Sequence, residues 1–220
     1  MLTLKKVKKN PIILEFIRQT DIVLTAAGYT DHGLRHAKLV SDRARTIARE
    51  ISLTKREQEL AAIAGFCHDM GNFLGRTQHH YWGALLFSQL YLTKEKEDEV
   101  AIVIQAIANH DKYTMKLANP ISAIVVLADK SDVHRSRVVE TSVAKIREDI
   151  HDRVNYAVTN SRLAVNKKKK EIILKLKIDV RFVPVIEYFE VFIDRMSYCR
   201  KASNYLRYKF RLEINNFELL

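Results

Sequence analysis

The chain is short of the residues that mark tight turns, cysteine-based metal sites and membrane spans. Its 220 residues include only six glycines and three prolines, so a mostly helical architecture is expected. The two cysteines, Cys67 and Cys199, lack a metal-binding spacing, which argues against a zinc site built on thiolates. No apolar run approaches the length of about 18 residues that a transmembrane helix needs.

The amino-terminal residues are a poor match to a secretory signal. Lysines open the chain, but charged residues interrupt the apolar run over residues 11–18, whereas a signal peptide has an uninterrupted apolar segment. The pattern is better suited to the start of an amphipathic helix. It predicts a cytoplasmic protein with no membrane contact.

The overall composition, with 47% hydrophobic and 29% charged residues, is typical of a soluble globular protein. The length allows one large domain, or one domain with a small appendage. The formal net charge of +11 could attract anionic substrates or nucleic acid, although solubility is the simpler explanation.

Apolar residues recur at spacings of three and four in a series of segments, which predicts a helical domain over residues 1–150. Successive helices are expected to start near Leu34, Thr54, Thr77, Thr93 and Pro120. Thr54 and Glu57 have the spacing of a capping box, and Pro120 suits a first helical turn.

A different pattern comes next, and it predicts a small β-β-α-β unit over residues 151–220. A helix is expected over much of residues 136–155. Alternating apolar residues predict strands at residues 157–165, 171–179 and 208–214, with a helix at 185–206 between the last two. The lysines at 167–170 are typical of a solvated hairpin turn. Nucleic-acid binding is the less favoured interpretation, because no aromatic residues alternate with the basic ones.

Three of the predicted helices end in potential metal ligands. The apolar interior before each end gives way to His68 and Asp69, to His110, or to Asp129. Ionisable groups at the ends of buried helices must be paired, hydrogen-bonded or bound to a metal. Imidazole and carboxylate are common ligands of divalent ions. With His36 and His79 near helix starts, the pattern predicts one convergent metal site.

The order of these residues resembles the HD superfamily of metal-dependent phosphohydrolases. The superfamily has a histidine on one helix, a His-Asp pair on the next, and an aspartate on a later helix. Here the matching residues are His36 within Gly33-Leu34-Arg35-His36, the pair His68-Asp69, and Asp129 within Leu127-Ala128-Asp129-Lys130. The resemblance covers roughly residues 20–135 and implies a helical HD domain.

Two further pieces are similar to members that hold two metals, among them the HD-GYP phosphodiesterases and the bacterial diadenosine tetraphosphate hydrolases. His79-His80-Tyr81-Trp82-Gly83-Ala84 fits a His-x-x-x-Gly-Ala element, and Asn109-His110 fits a further histidine. The resemblance implies that His36, His68, Asp69 and Asp129 hold one metal. His79 and His110 would complete the second site, with Asp69 as the bridge. His80 is the alternative to His79.

The sequence departs from the family at two places. Many HD proteins have a lysine at the position of Asn72, which here brings no charge. The Gly-Tyr-Pro element of the HD-GYP branch is absent after His110, where the chain continues Asp111-Lys112-Tyr113-Thr114. That difference argues against cyclic-di-GMP as the substrate.

The resemblance implies hydrolysis of a phosphate ester or anhydride, with a nucleotide as the expected small phosphorylated substrate. Imidazole and carboxylate ligands suit one or two ions of Fe, Mn, Co, Ni or Zn. Such ions would supply a hydroxide nucleophile and neutralise a phosphoryl oxygen. Asp69 and Lys130 are the predicted catalytic residues, and Arg76 and Arg135 are weaker candidates for phosphate contact. The alternative is a regulatory protein that binds a nucleotide or RNA without turnover. The carboxy-terminal unit could cover the pocket, form a homodimer interface or bind an effector.

Overall fold

The computed structural model describes residues 1–111 and 116–219. Over these ranges it contains ten α-helices, two short 3-10 helices and one four-stranded sheet, which confirms the predicted fold class. The chain divides into two compact units, Met1–Asp129 and Lys130–Leu220. The domain boundary expected after residue 150 lies inside the second unit and stays a prediction. Among the described residues, no helix has the length and apolar character needed to cross a membrane.

Helices make up the first unit. They are α1 (Leu4–Lys8), α2 (Pro11–Ala26), α3 (Leu34–Glu50), α4 (Lys55–Cys67), α5 (His79–Tyr91), α6 (Glu97–Asn109) and α7 (Pro120–Lys130), with a 3-10 helix at Asn72–Leu74. The last residue of α7, Lys130, belongs to the second unit. The predicted capping box is present: the Thr54 hydroxyl accepts from the Glu57 amide, and the Glu57 carboxylate accepts from the Thr54 amide at 2.8 Å.

Helix α4 lies at the centre of this unit, and every residue from Leu60 to Cys67 is buried. Small side chains let the neighbouring helix α3 approach closely. A Cβ atom added to Gly65 would lie 3.0 Å from the carbonyl oxygen of Val40 on α3. The carboxyl end of α4 therefore lies deep in the core, and His68 and Asp69 leave the helix as buried residues.

A glycine contact fixes the start of α5 beside this helix end. A Cβ atom on Gly71 would lie 2.3 Å from the carbonyl oxygen of His79 and 2.4 Å from the amide nitrogen of Gly83. Only glycine permits this backbone approach. Gly75, with φ of 129°, then ends the 3-10 helix in a conformation that side chains disfavour. The resulting turn brings His79 back to the region of Asp69.

The second unit combines short helices with the sheet. Its elements are a 3-10 helix at Arg135–Arg137, α8 (Val143–Glu148), α9 (Ile150–Ala157), β1 (Val158–Asn166), β2 (Glu171–Ile178), α10 (Val185–Tyr205), β3 (Lys209–Ile214) and β4 (Phe217–Glu218). The strand order is β1-β2-β3-β4. Strands β1 and β2 form the predicted antiparallel hairpin, and α10 connects the parallel strands β2 and β3.

Two details of this unit differ from the sequence-based expectation. The helix expected over much of residues 136–155 is replaced by the 3-10 helix, α8 and α9. Val138, Ser142 and Asp149 are extended there, and the Asp149 side chain caps α9 by accepting from the Asp152 amide at 2.9 Å. Strand β4 was not predicted, because a two-residue strand leaves no alternating pattern to detect.

Candidate metal centre

The structure brings the six sequence-predicted ligands together inside the first unit. His36 lies in the first turn of α3, His68 and Asp69 come directly after α4, His79 starts α5, His110 comes directly after α6, and Asp129 lies near the end of α7. All six side chains are buried. Three groups among them have ligand atoms within 4.8 Å of one another: His36, His68 and Asp69; His68, His110 and Asp129; and Asp69, His79 and His110.

Asp69 presents its two carboxylate oxygens to two different pairs of histidines. Oδ2 lies 3.3 Å from Nε2 of His68 and 3.5 Å from Nε2 of His36. Oδ1 lies 3.2 Å from Nε2 of His79 and 3.4 Å from Nε2 of His110. This carboxylate is therefore positioned to be shared by two neighbouring ions.

Asp129 lies beside two histidines of the first of these groups. Its Oδ1 lies 3.4 Å from Nε2 of His36 and 3.7 Å from Nε2 of His68, and the two histidine nitrogens are 3.2 Å apart. Two ligand atoms that each lie about 2.1 Å from one ion stand about 3.0 to 3.4 Å apart at octahedral or tetrahedral angles. We call His36, His68, Asp69 and Asp129 the four-ligand group. His36, His68 and Asp69 have ligand atoms within 4.8 Å of one another, and Asp129 adds an oxygen close to both histidines.

Asp69, His79 and His110 form a second set, which we call the three-ligand group. The Nε2 atoms of His79 and His110 lie 3.0 Å apart, and their distances to Asp69 Oδ1 fall in the same range. His80 is buried as well, but its ring centroid lies 5.5 Å from that of His79 and 6.2 Å from that of His110. Among the described residues, the three groups that could hold an ion include His79 and not His80.

Backbone carbonyls orient three of the histidine rings. Nδ1 of His68 lies 2.8 Å from the Gly65 carbonyl oxygen, and Nδ1 of His110 lies 2.7 Å from that of Ile107. Both rings thus use a carbonyl of the last helical turn, where no intrahelical partner is required. Nδ1 of His79 likewise lies 2.9 Å from the backbone carbonyl oxygen of Arg76. A carbonyl at Nδ1 accepts the N–H of that nitrogen and directs Nε2 into the site.

The charges of the site favour a bound cation. Burial acts to lower the pKa of His68, but the carboxylates of Asp69 and Asp129 outweigh it and raise that pKa to about 10. Burial acts to raise the pKa of Asp69, but the charge of His68, together with the rings of His110 and His36 close to the carboxylate, holds that pKa well below its usual value. Burial lowers the pKa of His110 to about 4, so this ring is a neutral ligand. Two buried carboxylates facing four imidazoles fit divalent metal binding.

A polar chain of Asn72, Arg76 and Asp111 borders the three-ligand group. Asn72 is fully buried, and its Nδ2 donates to Asp69 Oδ1 at 2.9 Å. Its Oδ1 accepts from Nη1 of Arg76 at 2.9 Å, and Nη2 of Arg76 lies 3.6 Å from Oδ2 of Asp111. Asp111 was not predicted as a site residue. The only signal in the sequence was its position directly after His110.

His32, Lys130 and Arg135 lie outside the two ligand groups. His32 is buried, with Nδ1 2.5 Å from the Thr30 carbonyl oxygen and its ring 5.7 Å from that of His36. Lys130 is buried at the end of α7, and its Nζ lies 6.0 Å from the ring centroid of Tyr198. The Arg135 guanidinium lies 5.2 Å from the ring centroid of Tyr156. The predicted catalytic role of Lys130 stays a prediction.

The first unit is helical, and four histidines and two aspartates meet at its buried helix ends. These features are typical of a metal-dependent domain. The family model described as HD domain matches residues 33–134, a range that contains all six candidate ligands. The match supports the resemblance of this stretch to the HD superfamily. HD domains bind divalent metals, and proteins that contain them are generally hydrolases.

One curated relative is an uncharacterised protein of Methanocaldococcus jannaschii. It is 27% identical over 166 residues, which cover 65% of this chain and 63% of that protein. The chain therefore spans less than two thirds of the length of this relative. The similarity supports a shared domain and assigns no substrate.

Proposed function

We propose that the protein is a divalent-metal-dependent phosphohydrolase that cleaves a phosphate ester or anhydride of a nucleotide. The observation that carries the proposal is the division of Asp69 between two histidine pairs. Its Oδ2 faces His36 and His68, and its Oδ1 faces His79 and His110. A carboxylate in this position supports two ions side by side.

The protein's own residues prepare the site for such ions. The low pKa of Asp69 keeps its carboxylate charged. The carbonyls of Gly65, Arg76 and Ile107 hold three imidazoles with Nε2 facing the site. Asn72 fixes the Asp69 carboxylate by donating to Oδ1. Because packed helix ends carry these groups, little rearrangement is needed when a metal binds.

Divalent ions bound by such ligands activate water as a nucleophile and neutralise charge on a phosphoryl oxygen. Mixed imidazole and carboxylate ligands suit Fe, Mn, Co, Ni or Zn. The ligand set supports a phosphoryl group as the reacting centre. The nucleotide part of the proposal rests on the similarity to HD members with six ligands.

The test combines metal analysis with a substrate screen. Protein purified without added chelator is analysed for bound transition metals, and nucleotides together with a generic phosphodiester are screened with Mn²⁺ or Fe²⁺ added. We expect bound metal and hydrolysis of a phosphorylated substrate, with both lost in Asp69→Ala and His68→Ala. Asp42→Ala is the matched control, because its side chain on α3 is 72% exposed. Absence of bound metal and of turnover in the parent protein would reject the proposal.

A second candidate function is binding of a nucleotide or RNA without turnover. The exposed lysines of the β1–β2 turn, Lys167 to Lys170, favour it. Binding through phosphate contacts weakens steeply with salt. Salt-dependent RNA binding in the absence of any hydrolysis, reduced by replacing Lys168 and Lys169 with glutamine, would support this function over the enzymatic one.

A further inference from the structure

The guanidinium group of Arg76 lies against the three-ligand group. Its Nη1 is 3.4 Å from Nε2 of His79 and 3.9 Å from Oδ1 of Asp69. Both atoms belong to the set that would face an ion. A permanently charged side chain thus lies close to the place where the second metal is expected.

Three features hold the guanidinium in this position. The Nδ2 of the buried Asn72 donates to the Asp69 side chain and backbone, at 2.9 and 3.0 Å, so its Oδ1 is left to accept from Arg76. Asp111 lies 3.6 Å from Nη2. Gly75 has a φ of 129°, a conformation that glycine allows just before Arg76. The contact is therefore a product of the local fold.

The contact with His79 cannot persist when an ion uses the same lone pair. The Nδ1 proton of His79 points to the Arg76 carbonyl oxygen, so Nε2 offers one lone pair to either an N–H group or an ion. Arg76 must then turn away. Its side chain is 33% exposed and that of Asp111 is 26% exposed, so both side chains reach solvent at the rim of the site.

The geometry points to Arg76 as an exchangeable cation of this site. Without metal, it partly neutralises the Asp69 side of the three-ligand group. With metal bound, it turns to the rim and binds two oxygens of a phosphoryl group through its paired N–H donors. This inference rests on the proposed function, and it assigns to the site a phosphate with two free oxygens.

If Arg76 has this role, its replacement should change the affinities for the second ion and for phosphate in opposite directions. In Arg76→Gln the second divalent ion should bind about fivefold more tightly, because a competing partly exposed charge is removed. Inorganic phosphate should bind the metal-loaded protein about 10- to 100-fold more weakly, because a charged, paired hydrogen-bond donor is lost. A residue that merely supports the local fold would weaken both affinities together.

Two calorimetric titrations test the inference on the full chain. Mn²⁺ is titrated into protein stripped with a chelator, and inorganic phosphate is titrated into protein loaded with Mn²⁺. The proteins compared are the parent, Arg76→Gln, Arg76→Lys and Arg49→Gln. The last is the matched control, since Arg49 is exposed and lies near the other end of α3 from His36, about 20 Å away at about 1.5 Å per residue. Arg76→Lys keeps the charge but not the paired donors, so it should change phosphate affinity more than ion affinity.

Opposite shifts in Arg76→Gln, absent from Arg49→Gln, are the expected result. The inference is overturned if both affinities fall together, if neither differs from the control, or if the parent chain binds a single Mn²⁺ or none. If Arg76→Gln does not fold, Arg76→Lys decides the question, and unchanged phosphate affinity in that variant rejects the role. Neither titration requires turnover. A protein that shows the opposite shifts without hydrolysis would keep this inference and reject the proposed function.

Discussion

Asn72 donates a hydrogen bond of 2.9 Å from its Nδ2 to Oδ1 of Asp69. The same nitrogen lies 3.0 Å from the Asp69 carbonyl oxygen, so the amide cannot rotate without losing both contacts. Oδ1 of Asp69 is the oxygen that faces His79 and His110. From the sequence, Asn72 stood out only as an uncharged residue where many HD proteins have a lysine. In the structure it holds the Asp69 carboxylate at the centre of the site.

Replacing Asn72 with leucine, Asn72→Leu, should weaken metal binding. Leucine has a similar size but cannot orient Asp69, and loss of such an outer contact typically lowers metal affinity about 10- to 100-fold. Titration with Mn²⁺ measures the change, and far-UV circular dichroism of the metal-free variant checks its fold. This direction is opposite to that expected for Arg76→Gln. An affinity equal to that of the parent protein would show that Asp69 needs no such support.

The adjacent histidines His79 and His80 should differ in their effect on metal content. His79→Ala removes an Nε2 atom that lies 3.2 Å from Asp69 Oδ1, so we expect one ion per chain in place of two. His80→Ala should retain two ions, because the His80 ring lies outside the three groups of described residues that could hold an ion. Metal analysis by mass spectrometry gives the stoichiometry. Equal metal content in the two variants would contradict the assignment.

Substitutions at two glycines, Gly71 and Gly65, should affect the two ligand groups differently. Gly71→Ala would place a methyl group 2.3 Å from the His79 carbonyl oxygen, displacing the start of α5 and lowering the affinity of the three-ligand group. Gly65→Ala would meet the Val40 carbonyl oxygen at 3.0 Å, where α3 and α4 must separate and His36 moves from His68. The destabilisation expected from such overpacking is about 1–3 kcal/mol.

Denaturant unfolding and metal stoichiometry distinguish these two glycine variants. Gly71→Ala should keep one tightly bound ion, whereas Gly65→Ala should weaken that ion. The same stoichiometry and the same free energy of unfolding in both variants would show that the close helix approaches do not set the site.

Removal of metal should lower the thermal stability of the protein. A ligand that binds only the folded state adds about 2.7 kcal/mol to the free energy of unfolding at 100 times its dissociation constant. We therefore expect a chelator to lower the Tm, and Mn²⁺ to restore it. In Asp69→Ala the Tm should no longer respond to Mn²⁺, whereas in Asp42→Ala it should respond as in the parent. A Tm independent of metal in the parent would argue against resident ions.

The helices and ligand candidates of residues 34–130 could be read from local patterns. Apolar spacing predicted α3 to α7, and the Thr54–Glu57 capping box was found as expected. The region 136–155 could not be predicted in the same way. Its extended residues and the Asp149 cap depend on side-chain competition with the helix, which apolar spacing does not detect.

The order of residues along the chain is enough to place histidines and aspartates at the ends of apolar helices, because a chain that buries those helices must also bury the residues directly after them. How these residues are shared depends on tertiary packing. The approach of Gly65 to Val40 and of Gly71 to Gly83 fixes which histidines face which oxygen of Asp69. Asn72, Arg76 and Asp111 meet beside Asp69 for the same reason: their distances depend on the close packing of helices that are remote in sequence.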